Sequence, residues 1–178
     1  MNHSPQTSEN YTVKRINELF SHYIQQVHRV YKLPESAESR LSNMLVNKVA
    51  PVWVVDDNIN DQFFIKSAFN SVRPDIPVIT LDNGEELLSR MTKTNLLPRV
   101  VLLDLNMPRV SGLDILQKIR DNQSYDNLTV VVLTTSSWVT NEDRRTALAL
   151  GADQFYTKPS TYMDMIDLIK TITDNWCD

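Results

Sequence analysis

From residue 51 onward the chain repeats one unit five times: a short, mostly apolar run rich in branched residues, then a stretch with helical spacing. The runs are PVWVV (51–55), PVITL (77–81), RVVLL (99–103), LTVVVL (128–133) and DQFYT (153–157). Between and after them come Phe64/Ile65/Ala68/Phe69, Leu87/Leu88/Met91, Leu113/Leu116/Ile119, Ala147/Leu148/Leu150 and Met163/Ile166/Ile169/Ile172. These groups are apolar at three- and four-residue steps, the mark of a helix with one buried stripe. Strands that are apolar on both sides must be covered on both faces, and strands separated by helices run parallel. The pattern predicts an α/β fold: a doubly wound five-stranded parallel sheet with helices on both faces. The few glycines agree with the boundaries. Gly84 and Gly112 lie near helix starts, and Gly151 follows Leu150, where a left-handed helix end is wanted.

At 178 residues the chain is long enough for one well-buried domain and an appendage. Its 42% hydrophobic and 22% charged residues argue against a mostly disordered chain. The single cysteine, Cys177, excludes an intramolecular disulfide and a cysteine metal cluster, so a reducing cytoplasm is the simplest home. The amino end, MNHSPQTSENYT, lacks the charged-then-apolar pattern of a secretion signal, and the longest apolar runs are too short to cross a bilayer. No membrane partner is expected. Residues 1–49 carry six Lys/Arg and four Asp/Glu, which leaves twelve basic against eighteen acidic side chains for residues 50–178. An acidic domain without a basic stripe offers no footprint for nucleic acid.

Residues 1–10 read as a disordered polar tail, 11–49 as a helical extension and 50–177 as the main domain. In the extension, Val13, Ile16, Leu19/Phe20, Tyr23/Ile24, Val27 and Val30/Tyr31 recur with helical spacing until Pro34 stops them. Ser36 then caps a second, weaker helix carrying Leu41, Met44 and Leu45. A segment this short cannot bury its own apolar stripe. It either docks on the main domain or pairs with its copy in a homodimer, since Ile16, Tyr23 and Val30 repeat every seven residues.

Polar signals stand where the apolar runs end: Asp56-Asp57 after the first, Asp104 after the third, Thr134 after the fourth and Lys158 after the fifth. In a parallel sheet those ends form one crevice, the usual place for a ligand. Carboxylates crowded there repel one another unless something cationic sits among them. A hard cation held by oxygen ligands, with a position left for a phosphoryl oxygen, meets that need. Taken singly, Asp56-Asp57 also suits a helix cap, Asp104 a turn, and Lys158 a solvated charge.

The strings VVDDN (54–58), LLDLNMPRVSG (102–112), VVLTTSS (131–137) and FYTKPS (155–160) stand in order and in register with the predicted strands. In them, residues 50–177 resemble the receiver domain of two-component response regulators. The resemblance implies that Asp104 is the phosphoacceptor, and that Mg2+ is held by Asp57, Asp104 and the backbone carbonyl of Asn106, with Asp56 acting through a bound water. It implies that Lys158 pairs with the phosphoryl oxygens, that the Thr134 hydroxyl closes onto them, and that Phe155 is the aromatic that turns inward when that hydroxyl moves. Lys158-Pro159 resembles a junction where a cis peptide is common. A carboxylate attacks an anionic phosphoryl donor poorly, and a metal ion with an ammonium removes much of that repulsion.

The chain departs from the family pattern in one place. The segment from Thr134 to Lys158 is about two residues longer than the family's usual spacing and places Trp138 and Val139 in the loop that moves on activation. Ile59 and Phe63, one turn apart and off the core stripe, suggest either a docking patch for a phosphohistidine donor or ordinary core edging. His22 and His28 read as solvated helix histidines.

These features imply a stand-alone receiver that takes a phosphoryl group from a histidine kinase or phosphotransfer protein onto Asp104 with Mg2+. It would be a switch rather than a turnover enzyme, acting on a protein partner or passing the phosphoryl on, with no output domain following. The alternative is an adaptor of the same fold that needs no phosphorylation. A flavin-binding electron carrier would want a Ser/Thr/Gly-rich phosphate loop in place of Asp56-Asp57-Asn58, and an aspartyl-phosphate hydrolase another acid where Asn106 stands.

Overall fold

Each of five helices in the computed structural model begins on a side chain that caps it. Asn58, Asn83, Ser111, Thr140 and Thr161 accept backbone N–H groups from the first turns of α1 (Ile59–Val72), α2 (Gly84–Lys93), α3 (Gly112–Arg120), α4 (Asn141–Ala149) and α5 (Tyr162–Trp176). Such caps satisfy donors that a helix cannot pair internally. The structure describes residues 50–94, 96–135 and 140–177. The expectations for residues 1–49, and those for Trp138 and Val139, lie outside the described residues.

The helices alternate with strands β1 (Val52–Val55), β2 (Val78–Leu81), β3 (Val100–Leu103), β4 (Thr129–Thr134) and β5 (Gln154–Thr157). All neighbouring strands pair in parallel, in the order β2-β1-β3-β4-β5. Strand residues alternate between two cores. Trp53, Val55, Val101, Leu103, Val130 and Val132 pack with α2, α3 and α4 through Leu87, Met91, Ile115, Leu116, Ile119 and Ala147. Val52, Val54, Val100, Leu102, Val131 and Leu133 pack with α1 and α5 through Ile65, Ala68, Phe69, Met165, Ile169 and Ile172. Double coverage is the reason these strands read as unbroken apolar runs.

The strand boundaries match the sequence reading to within one residue. Two helix stripes do not. Met163 is exposed and the buried stripe of α5 starts instead at Met165, because Met163 stands in the first turn of α5, ahead of that stripe. Leu148 on α4 is also exposed, leaving Ala147 as the residue of that helix that reaches the core. The Lys158–Pro159 peptide is trans, as no cis peptide occurs among the described residues, so the implied cis junction is corrected. Trans is the ordinary preference of a bond before proline. No helix among the described residues is long and apolar enough to cross a membrane.

Gly112 places the end of β3. Its N–H donates to the carbonyl of Leu105 at 3.0 Å, and a Cβ at this position would lie 2.2 Å from the carbonyl oxygen of Asp104. The obstacle is backbone, which cannot rotate away. Gly112→Ala is expected to cost about 1–3 kcal/mol in urea unfolding, the usual range for overpacking. A neutral result there would show that the β3–α3 turn relaxes freely.

Candidate functional site

The register of the sheet brings distant residues to one edge. Val55 of β1 pairs with Leu103 of β3, so Asp56 and Asp104 emerge side by side, and the N–H of Asp104 donates to the carbonyl of Val55 at 2.9 Å. Thr134 ends β4 opposite Thr157 of β5, and the N–H of Lys158 donates to the carbonyl of Thr134 at 2.7 Å. This is the crevice beyond the carboxyl ends of the strands, beside the point where the chain crosses from one face to the other.

Carboxylate oxygens of Asp56, Asp57 and Asp104 all lie within 4.8 Å of one another. Asp56 and Asp104 are buried and Asp57 is exposed at the rim. The Lys158 ammonium is buried among carboxylates, 2.6 Å from Asp56 Oδ2, 2.8 Å from Asp61 Oδ2 and 3.0 Å from Asp104 Oδ2. Burial works against this ammonium, yet its hydrogen bonds to Asp56 and Asp61, with the charges of Asp56 and Asp104, outweigh it and raise its pKa. Burial pushes the Asp56 carboxyl up from 3.8 to about 6, although Lys158 and the N–H of Asn58 pull the other way; the charge of Asp104 adds to the rise. Four carboxylates around one ammonium leave the crevice net negative. An all-oxygen donor set with that residual charge suits a hard divalent cation.

Smaller contacts shape the rest. The second carboxylate oxygen of Asp104 accepts the N–H of Asn106 at 3.2 Å, and the Asn106 side chain donates to the Thr134 hydroxyl at 3.0 Å. Thr134 itself is fully buried. Phe155 on β5 is buried too, with the Arg144 guanidinium 5.4 Å from its ring centre and donating to its backbone carbonyl at 3.1 Å. The strand ends thus gather Asp56, Asp57, Asp104, Asn106, Thr134 and Lys158, with Phe155 packed into the core.

Sequence reasoning missed two participants. Asp61 holds the lysine from the first turn of α1, where an acid reads simply as a favourable charge at a helix start. Gln62 is buried, and its amide donates to the carbonyl of Asp56 at 2.6 Å and to Asp82 Oδ1 at 2.9 Å, tying β1 to the β2–α2 turn. A polar residue beside Phe63-Phe64 carried no periodic signal.

Comparisons with known proteins agree with the fold. The family model described as the response regulator receiver domain matches residues 52–170. A probable methanogenesis regulatory protein, FilR2 of Methanothrix harundinacea, is 35% identical over 80 residues, which are 45% of this chain and 50% of that protein. The chain therefore spans about half the length of that relative. A chemotaxis protein CheY homolog of Campylobacter jejuni is 29% identical over 108 residues, covering 61% of this chain and 80% of that one. The crystal structure of the phosphorylated cyanobacterial phytochrome response regulator RcpA superposes with a TM-score of 0.66 at 25% identity, covering 72% of this chain and 94% of that one. The chain belongs to the response regulator receiver family.

Proposed function

We propose that the chain is a phosphoacceptor switch: Asp104 takes a phosphoryl group from a phosphohistidine on a histidine kinase or phosphotransfer protein. The observation that carries this reading is the Lys158 ammonium 3.0 Å from the Asp104 carboxylate, in a crevice where carboxylate oxygens of Asp56, Asp57 and Asp104 lie within 4.8 Å of one another. A carboxylate oxygen of Asp104 attacks phosphorus, the P–N bond breaks, and the donor imidazole leaves with the electron pair and takes a proton from solvent. Lys158 offsets charge on the phosphoryl oxygens as they approach. Thr134, buried at the end of β4 with its hydroxyl oxygen accepting from Asn106, meets an added phosphoryl oxygen with its O–H, a contact available only after transfer.

The residues present fit Mg2+, for which Asp57, Asp104 and the Asn106 carbonyl are the ligands and Asp56 a ligand through water. Bound there, the ion supplies neutralising charge. The structure of the phosphorylated regulator RcpA supports carrying phosphorylation across at the level of the family. The test is incubation of the full chain with acetyl phosphate and magnesium, read by intact mass and peptide mapping. One phosphoryl group on Asp104 is expected; no adduct would overturn the reading.

The donor has a candidate landing place. Ile59 and Phe63 are 75% and 73% exposed and lie one turn apart at the start of α1, the helix that follows Asp57. Apolar side chains this exposed are more useful at an interface than in water. Phe63→Ala is expected to slow transfer from the cognate phosphohistidine donor about tenfold or more, the loss of one aromatic anchor. Uptake from acetyl phosphate, which needs no docking, stays unchanged. Equal transfer rates from the protein donor would remove the docking role.

A further inference from the structure

An ammonium has three N–H donors, and those of Lys158 are all engaged: Asp56 at 2.6 Å, Asp61 at 2.8 Å and Asp104 at 3.0 Å. A phosphoryl group arriving on Asp104 adds oxygens that compete for the same donors. While the group approaches, Asp104 is the attacking carboxylate, so the choice of acceptor to yield falls between Asp56 and Asp61. Asp56 is poorly placed to do so, since its side chain is 2% exposed and its other oxygen accepts the N–H of Asn58. Asp61 differs. Its side chain is 32% exposed on the first turn of α1, so water replaces the lysine at low cost when the contact breaks.

We propose that Asp61 is a positioning residue for Lys158, a counter-ligand that holds the ammonium at rest and restrains phosphoryl uptake until it lets go. This rests on reading Asp104 as the phosphoacceptor. Two consequences follow from one charge. Asp61 draws the ammonium away from an incoming phosphoryl group and adds its own repulsion to that group, so it slows transfer. The same negative charge strengthens the attraction of the crevice for a divalent cation, so it favours metal binding. An acid serving only the helix start does neither, because its partners are the backbone N–H groups of α1.

The test compares the full chain with Asp61→Asn and Asp61→Glu at saturating magnesium, following uptake from acetyl phosphate by intact mass and magnesium binding by calorimetry. Asp61→Asn is expected to take up phosphoryl about threefold to tenfold faster while binding magnesium several-fold more weakly, the scale of one partly screened charge at close range. The acceleration shrinks as ionic strength rises, since Asp61 faces water on one side. Asp61→Glu keeps the charge and the reach, and restores both rates and affinity toward the parent chain. Should Asp61→Asn take up phosphoryl at an unchanged or lower rate while the parent chain labels normally, the assignment to Asp61 is overturned and the role of Asp104 stands. A parent chain that never labels removes both.

Discussion

Asp104→Asn is expected to take up no phosphoryl group from acetyl phosphate and magnesium while keeping its fold. The amide has the shape of the carboxylate but one oxygen for two donors, the N–H of Asn106 at 3.2 Å from Oδ1 and the Lys158 ammonium at 3.0 Å from Oδ2; Lys158 keeps Asp56 and Asp61. The amide lacks the anionic oxygen needed to attack phosphorus. The neighbouring acids are poor substitutes for different reasons. Asp56 is buried and locked at 2.6 Å on Lys158, with its other oxygen on the N–H of Asn58 at 3.0 Å. Asp57 is at the exposed rim, and the three carboxylates bonded to Lys158 do not include it. Loss of labelling should therefore be complete, with the far-ultraviolet circular dichroism of the parent chain retained. Labelling of the variant at another carboxylate would mean that the crevice, rather than one aspartate, accepts the group.

The sheet was legible because both of its faces are covered. Under that constraint the central strands must be apolar at nearly every position, so Val52–Val55 and Val100–Leu103 announce themselves without any period, whereas the edge strand Gln154–Thr157 is mixed. Helix faces are read from period alone, and there the ends mislead. Met163 continues the spacing of Ile166 yet stands in the first turn of α5, before the buried stripe begins at Met165. The site divides in the same way. Asp56, Asp104, Thr134 and Lys158 were visible because each is a polar residue that abruptly ends an apolar run, and parallel register converts that into proximity. Asp61 and Gln62 were hidden because they lie within a helix, where a single polar residue is ordinary and only the packing shows what it faces. The peptide before Pro159 has the ordinary trans form, against the cis form that the resemblance implied.

The crevice stores its charges at a cost, and that cost predicts the second large effect. Burial raises the folded-state pKa of Asp56 from 3.8 to about 6, so the folded chain holds this proton more tightly than the unfolded chain does. For an acid shifted upward, the ionisation penalty is absent below the unfolded value, grows as pH climbs through the window from 3.8 to about 6, and is full above it. Near pH 8 it amounts to about 3 kcal/mol. Asp56→Asn removes the ionisable acid, although its one amide oxygen now has two donors to serve, the N–H of Asn58 and the Lys158 ammonium, at both pH values alike. In EDTA the stability of the variant relative to the parent chain should therefore rise by about 2–3 kcal/mol between pH 4 and pH 8. Urea unfolding at the two pH values measures this directly. Magnesium should reduce this rise, because added positive charge relieves the ionised carboxylate of the parent chain and has less to relieve in the variant. A relative stability that stays the same at the two pH values would show that Lys158, 2.6 Å from the carboxylate, offsets the burial of its acid. The expected sign follows from a crevice whose excess of negative charge is retained for an incoming ligand at the expense of the resting fold.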